Sequence, residues 1–245
     1  MLILSVCIVI ILLTLLIGIG KRGFRRKLTS APIALERQTE RTQEILQTLY
    51  QHVHAGEVSF EERQRLGREE DAYIYGEIEF ASFYSLLKSI DPKPGEVFYD
   101  LGCGSGRAIL AATLHFDLSK VCGIEYLPGL CALANEQLKK AIALVQATHD
   151  EWTDTFLQRL SRVQVIQDNF LNDDFSDGDI FLIAATCFNY STWEALVEKL
   201  VSVKPGSRIM VATKKIKHPQ FTLIAERFEL MSWGMNSVQV YLKTR

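Results

Sequence analysis

Glu96-Val97-Phe98-Tyr99-Asp100 runs straight into Leu101-Gly102-Cys103-Gly104-Ser105-Gly106. Residues 96–100 read as a buried strand, and the apolar run from Arg107 to Phe116 reads as a helix. The loop between them carries glycine at every second position. Glycine lets the backbone turn tightly and lets a ligand approach main-chain atoms closely. The same alternation continues outward. KVCGIE (120–125) predicts a second strand, and Pro128 to Val145 a second helix. RVQVIQ (162–167) and DIFLIAA (179–185) predict two more strands. A helix over 191–203 and a strand over 207–213 follow, split by the Pro205-Gly206 turn. FELMSW (228–233) and VQVYLKT (238–244) predict two late strands around Gly234, antiparallel because the link is short. Strands alternating with helices predict an α/β fold, with a mostly parallel seven-stranded sheet and helices on both faces.

Open α/β sheets bind ligands at the carboxyl ends of their strands, which is where the glycine loop falls. The second strand ends in Glu125, 23 residues after Gly102. A carboxylate there can accept two hydrogen bonds from a ribose diol. A nicotinamide-dependent enzyme shares this geometry, but its fingerprint is G-x-G-x-x-G. The loop here is D-x-G-x-G-x-G, led by Asp100, and its spacing resembles Rossmann-like class I S-adenosylmethionine methyltransferases.

A closer resemblance covers roughly 73–245. Tyr73-Ile74-Tyr75-Gly76-Glu77 precedes a helical stretch, Ala81 to Ile90. Phe98 to Gly102, Gly123-Ile124-Glu125, Asp168-Asn169-Phe170-Leu171, Ser232-Trp233 and Tyr241-Leu242 then follow in order. In these segments the chain resembles the disruptor-of-telomeric-silencing family, the DOT-type, non-SET lysine methyltransferases. The resemblance implies S-adenosylmethionine as cofactor and lysine of a protein as acceptor. Tyr75 and Glu77 would form a loop over the cofactor, beside Asp100, Gly102, Gly104 and Gly106. Glu125 would hold the ribose, Asp168 and Asn169 the adenine edge, and Phe170 would stack beside the ring. On the substrate side it points to Thr186, Cys187 and Phe188 after the fourth strand, and to Trp233 and Tyr241 near a lysine channel. Plainer readings stand beside these: Asp168 as a turn residue, and Trp233 and Tyr241 as core aromatics. The family's histone-modifying members carry Asn-Asn-Phe after the fourth strand. This chain has Ala184-Ala185-Thr186-Cys187-Phe188-Asn189 instead, with its Asn displaced.

Of 245 residues, 48% are hydrophobic and 23% charged, which excludes a disordered chain. Five of the 27 basic residues lie in 1–27, leaving 22 against 29 acidic residues in 28–245, a net of -7. Such an acidic body argues against a nucleic-acid partner. The five cysteines form no C-x-x-C or Cys/His cluster, so reduced thiols and no metal are expected. Leu2 to Gly20 holds no charge and is followed by Lys21, Arg22, Arg25, Arg26 and Lys27. This predicts a transmembrane helix over 2–20, a basic flank and helical spacer over 21–72, and a methyltransferase domain over 73–245. The expected location is a membrane, single-pass, with the domain on the cytoplasmic side. The functional expectation is a membrane-anchored protein-lysine methyltransferase. The alternatives are an enzyme for a small molecule or lipid head group, and a degenerate scaffold that only binds the cofactor.

Overall fold

Each predicted strand takes its place in one sheet of the computed structural model, which describes residues 34–67 and 75–245. β1 (Val97–Leu101), β2 (Lys120–Glu125), β3 (Val163–Gln167), β4 (Ile180–Ile183) and β5 (Arg208–Ala212) run parallel. β6 (Phe221–Met231) and β7 (Gly234–Lys243) form an antiparallel hairpin, and the sheet order is β3-β2-β1-β4-β5-β7-β6. The chain winds outward from β1 to β3, then crosses back to β4 on the other side of β1. That reversal opens a crevice at the carboxyl ends of β1 and β4.

Alternation along the strands gives the sheet two apolar faces. Phe98, Val121, Leu182, Met210 and Val240 share a core with α3 (Phe80–Ser89), α4 (Arg107–His115), α5 (Pro128–Thr148) and α6 (Thr153–Leu160). Tyr99, Ile124, Phe181, Val211 and Tyr241 point the other way and pack with α7 (Tyr190–Leu200). Asn189 caps α7, its side chain accepting from the Thr192 N–H at 2.8 Å. A role in the reaction is therefore not needed to explain this displaced Asn.

The structural unit spans Thr42–Arg245, so it starts earlier than the 73 expected from sequence. Helix α1 covers 34–50, and its Ile45, Leu46, Leu49 and Tyr50 are buried in the same core as Phe98. α2 (Ala55–Arg65) is also part of this unit: Glu62 accepts from the Gly129 N–H of α5 at 3.1 Å. The stretch expected to be a spacer thus supplies core, because its apolar residues have a sheet-covering layer to meet.

The expected membrane anchor is corrected. Among the described residues no helix is long and apolar enough to cross a membrane. The 21-residue α5 is long enough but carries Glu136, Lys139 and Lys140. The stretch 2–20 on which that expectation rested lies outside the described residues, and the single-pass, cytoplasmic-side location is withdrawn with it.

Candidate active site

All three loop glycines take positive φ, 97° at Gly102, 55° at Gly104 and 82° at Gly106, a region that side chains with a Cβ rarely enter. Space is equally tight. A Cβ on Gly104 would stand 2.6 Å from the Tyr75 ring. Gly104→Ala should therefore push Tyr75 off the loop and weaken cofactor binding at least tenfold, as a calorimetric titration would read. An affinity equal to wild type would show that the ring gives way freely.

Glu125 lies buried at the end of β2 and holds the loop in this shape. Its Oε2 accepts the Gly104 N–H at 2.9 Å and its Oε1 the Leu127 N–H at 2.8 Å. Burial pushes its carboxyl up, and the backbone N–H groups pull it partly back. Asp100, next to last in β1, pairs opposite Gly123 and is 4% exposed. Burial first, then the neighbouring Glu125 and Glu77, push its carboxyl up to about 8. Three carboxyl groups, those of Glu77, Asp100 and Glu125, thus converge on one cavity.

Tyr75, Gly76 and Glu77 close it from above. The Tyr75 and Ser105 hydroxyls both donate to Glu77 Oε1. Arg107 Nε lies 2.9 Å from Glu77 Oε2, an ionic contact and not an aligned hydrogen bond. The Arg107 guanidinium stacks 4.7 Å over the Tyr50 ring, whose hydroxyl donates to the Ser105 carbonyl at 3.0 Å. The next residues add a short strand segment to the edge of β6. Ile78 bridges Met231, the Glu79 N–H donates to the Leu230 carbonyl at 2.9 Å, and the Ser232 N–H donates to the Glu77 carbonyl at 2.8 Å. The Trp233 ring lies so close on Gly76 that a Cβ there would sit 2.1 Å away. Tyr73 and Ile74 lie outside the described residues.

The far wall is aromatic. Phe170 and Phe188 lie 5.4 Å apart, their planes tilted by 33°. A Cβ on Gly102 would come 3.9 Å from Phe188.

Of the residues singled out by sequence, Tyr75, Glu77, Asp100, Gly102, Gly104, Glu125, Asn169, Phe170, Cys187 and Phe188 line one cavity. Five others are not on its lining. Gly106 starts α4 and packs on Ala134. Asp168 takes the turn reading, its Oδ1 accepting from the Asn169 N–H at 2.6 Å and from Asn172 Nδ2 at 2.9 Å. Trp233 lies beyond β6 and supports Gly76. Tyr241 is a core residue of the opposite face, its hydroxyl accepting from the Ile216 N–H at 3.1 Å. Thr186 binds Thr213, described below. Sequence reasoning missed Arg107, Tyr126, Leu127, Leu130, Met231 and Val238, which also line the cavity. Only Tyr126 and Leu127 carried a signal, since they directly follow Glu125.

These residues fit S-adenosylmethionine. Glu125 keeps lone pairs beyond its two N–H contacts for a ribose diol. Phe170 and Phe188 offer a face to a flat base. Asp100 places a buried carboxyl toward a cationic ligand.

Comparison with known proteins agrees. The chain is 26% identical over 156 residues to a histone-lysine N-methyltransferase, H3 lysine-79 specific, of Eremothecium gossypii, which covers 62% of this chain. The match covers 26% of that relative, so the chain spans about a quarter of its length. A protein-lysine N-methyltransferase of Saccharolobus islandicus is 25% identical over 155 residues, 62% of this chain and 75% of the relative. A geranyl diphosphate methyltransferase solved with SAM shares the fold, with a TM-score of 0.51 at 11% identity over 68% of this chain and 86% of that one. The family profile described as histone methylation protein DOT1 matches residues 68–245. That span takes in the lid, the glycine loop, Glu125 and both late strands, and on it the chain belongs to the DOT1 family, whose cofactor is S-adenosylmethionine.

Proposed function

We propose that this chain is an S-adenosylmethionine-dependent protein-lysine N-methyltransferase. One observation carries the reading: the Tyr75-Gly76-Glu77 lid is tied at once to the glycine loop, through Ser105 and Arg107, and to the β6–β7 hairpin. The histone- and protein-lysine methyltransferases named above support the choice of acceptor.

The cofactor supplies a methyl group on a sulfonium centre when bound. This chain's residues do the rest by positioning, since no covalent enzyme intermediate is required. Glu125 would accept the ribose hydroxyls, and the Phe170–Phe188 pair would hold the base. Cys187, Met231 and Val238 give the cavity an apolar side. An amine entering there is desolvated, which lowers its pKa and favours the neutral nucleophile.

The net of -7 over 28–245 disfavours docking on DNA. Label from methyl-labelled cofactor should enter free core histones at least tenfold faster than nucleosomes, measured side by side with a lipid extract. Label confined to the lipid or small-molecule fraction would contradict a protein acceptor, and faster labelling of nucleosomes would restore a DNA-docked substrate.

A further inference from the structure

Thr213, just past β5, has φ +70°. For a β-branched residue that is a genuine outlier, and such strain persists only where the surroundings hold it in place. What holds it is visible. The Thr213 and Thr186 hydroxyls are 2.8 Å apart, and Asn236 Nδ2 donates to Thr213 Oγ1 at 2.8 Å and to Thr186 Oγ1 at 3.4 Å. The Thr213 N–H also donates to the Ser237 carbonyl at 2.9 Å.

The cluster extends the wall of the cofactor cavity. Ala212 and Val238 pair across β5 and β7, and both line the cavity. Thr213 directly follows Ala212, just past the end of β5, where its positive φ takes it out of the strand's alternation. Asn236 lies two residues before Val238, on the same face of β7. Thr186 sits between Ala184 and Cys187, which are also lining residues. Three polar side chains therefore meet at the carboxyl ends of β4 and β5, beside the apolar side where an amine would enter.

An inventory of protons says what they can hold. Two hydroxyls share one hydrogen bond, so one O–H is left to donate. Asn236 Nδ2 serves the hydroxyls, which leaves Oδ1 as an acceptor. One donor beside one acceptor matches the C=O and N–H of a peptide unit. A lipid tail or a simple amine offers no such pair.

We infer that Thr186, Thr213 and Asn236, brought together at the ends of β4, β5 and β7, form a rest for the main chain of the acceptor polypeptide next to the methylated residue. This deepens the protein-lysine reading and rests on it. Thr213 is thus a positioning residue that selects a polypeptide over a free amine.

The test compares Thr213→Gly with Thr213→Ser in the full chain. Glycine takes positive φ without strain, so Thr213→Gly should fold with an unchanged or higher thermal midpoint. Its KM for core histones should rise at least tenfold, with the loss in KM rather than kcat and the calorimetric Kd for S-adenosylmethionine unchanged. Thr213→Ser keeps the hydroxyl and should stay within threefold of wild type in KM. An unchanged KM in Thr213→Gly, or an equal rise in both variants, would overturn the inference while leaving the enzyme reading intact. Wild-type protein that labels free lysine but no histone would overturn the protein reading and this inference together.

Discussion

Glu125→Ala is expected to cost both cofactor affinity and stability. The wild-type carboxylate accepts the Gly104 and Leu127 N–H groups and is 7% exposed. Its removal leaves two buried donors without acceptors, at about 1–3 kcal/mol each. Unfolding in urea should therefore show a loss on the order of 2–6 kcal/mol. Charge-assisted bonds to the ribose diol are worth about 1.5–3 kcal/mol each, so affinity for S-adenosylmethionine should fall well over tenfold in the folded variant. The two losses have separate readouts. A folded variant that binds the cofactor as tightly as wild type would remove Glu125 from the site, whatever its stability.

Affinity for the cationic cofactor should climb with pH until about 8. In the free protein Asp100 keeps its proton up to about 8, held by burial and by the charges of Glu125 and Glu77. A bound cation favours the ionised form, so binding releases a proton. Below 8, affinity then drops by up to about tenfold per pH unit, the limit for one coupled proton. Calorimetry in buffers of different ionisation heat should detect that proton. Stability has the opposite sign. The unfolded chain ionises Asp near its ordinary value of about 3.9, while the folded chain stays protonated to about 8. The folded state therefore holds the extra proton, and its stability falls as pH rises across that window. Asp100→Asn removes this loss, so its thermal midpoint at pH 8 should exceed wild type while its cofactor binding weakens. A pH-independent affinity between 6 and 8 would place the proton elsewhere.

The glycine-loop side of the cavity was legible in sequence because its features are local. Gly102, Gly104 and Gly106 sit where the backbone needs positive φ, and Glu125 follows from the end of an apolar strand. The lid was legible only in part. Tyr75 and Glu77 were marked by the family resemblance, but their ties to Arg107 and to the β6 edge cross long stretches of chain that no local pattern encodes. Tyr241 went astray by one residue of strand parity. Val238, at the cavity, and Val240 share one face of β7, and Tyr241 faces the other core. Asp168 was ambiguous because Asp and Asn both favour turns, and here the turn uses the carboxylate. The Thr186, Thr213 and Asn236 cluster left no trace, since its members come from three strand ends and the strain at Thr213 is a property of the folded backbone.

Mass spectrometry of core histones incubated with the full chain and S-adenosylmethionine bearing a heavy methyl group tests the central claim most directly. The account predicts the heavy methyl on lysine side chains, present with wild type and lost with Glu125→Ala. Heavy methyl on other residue types, or only on lipid and small molecules, would contradict it.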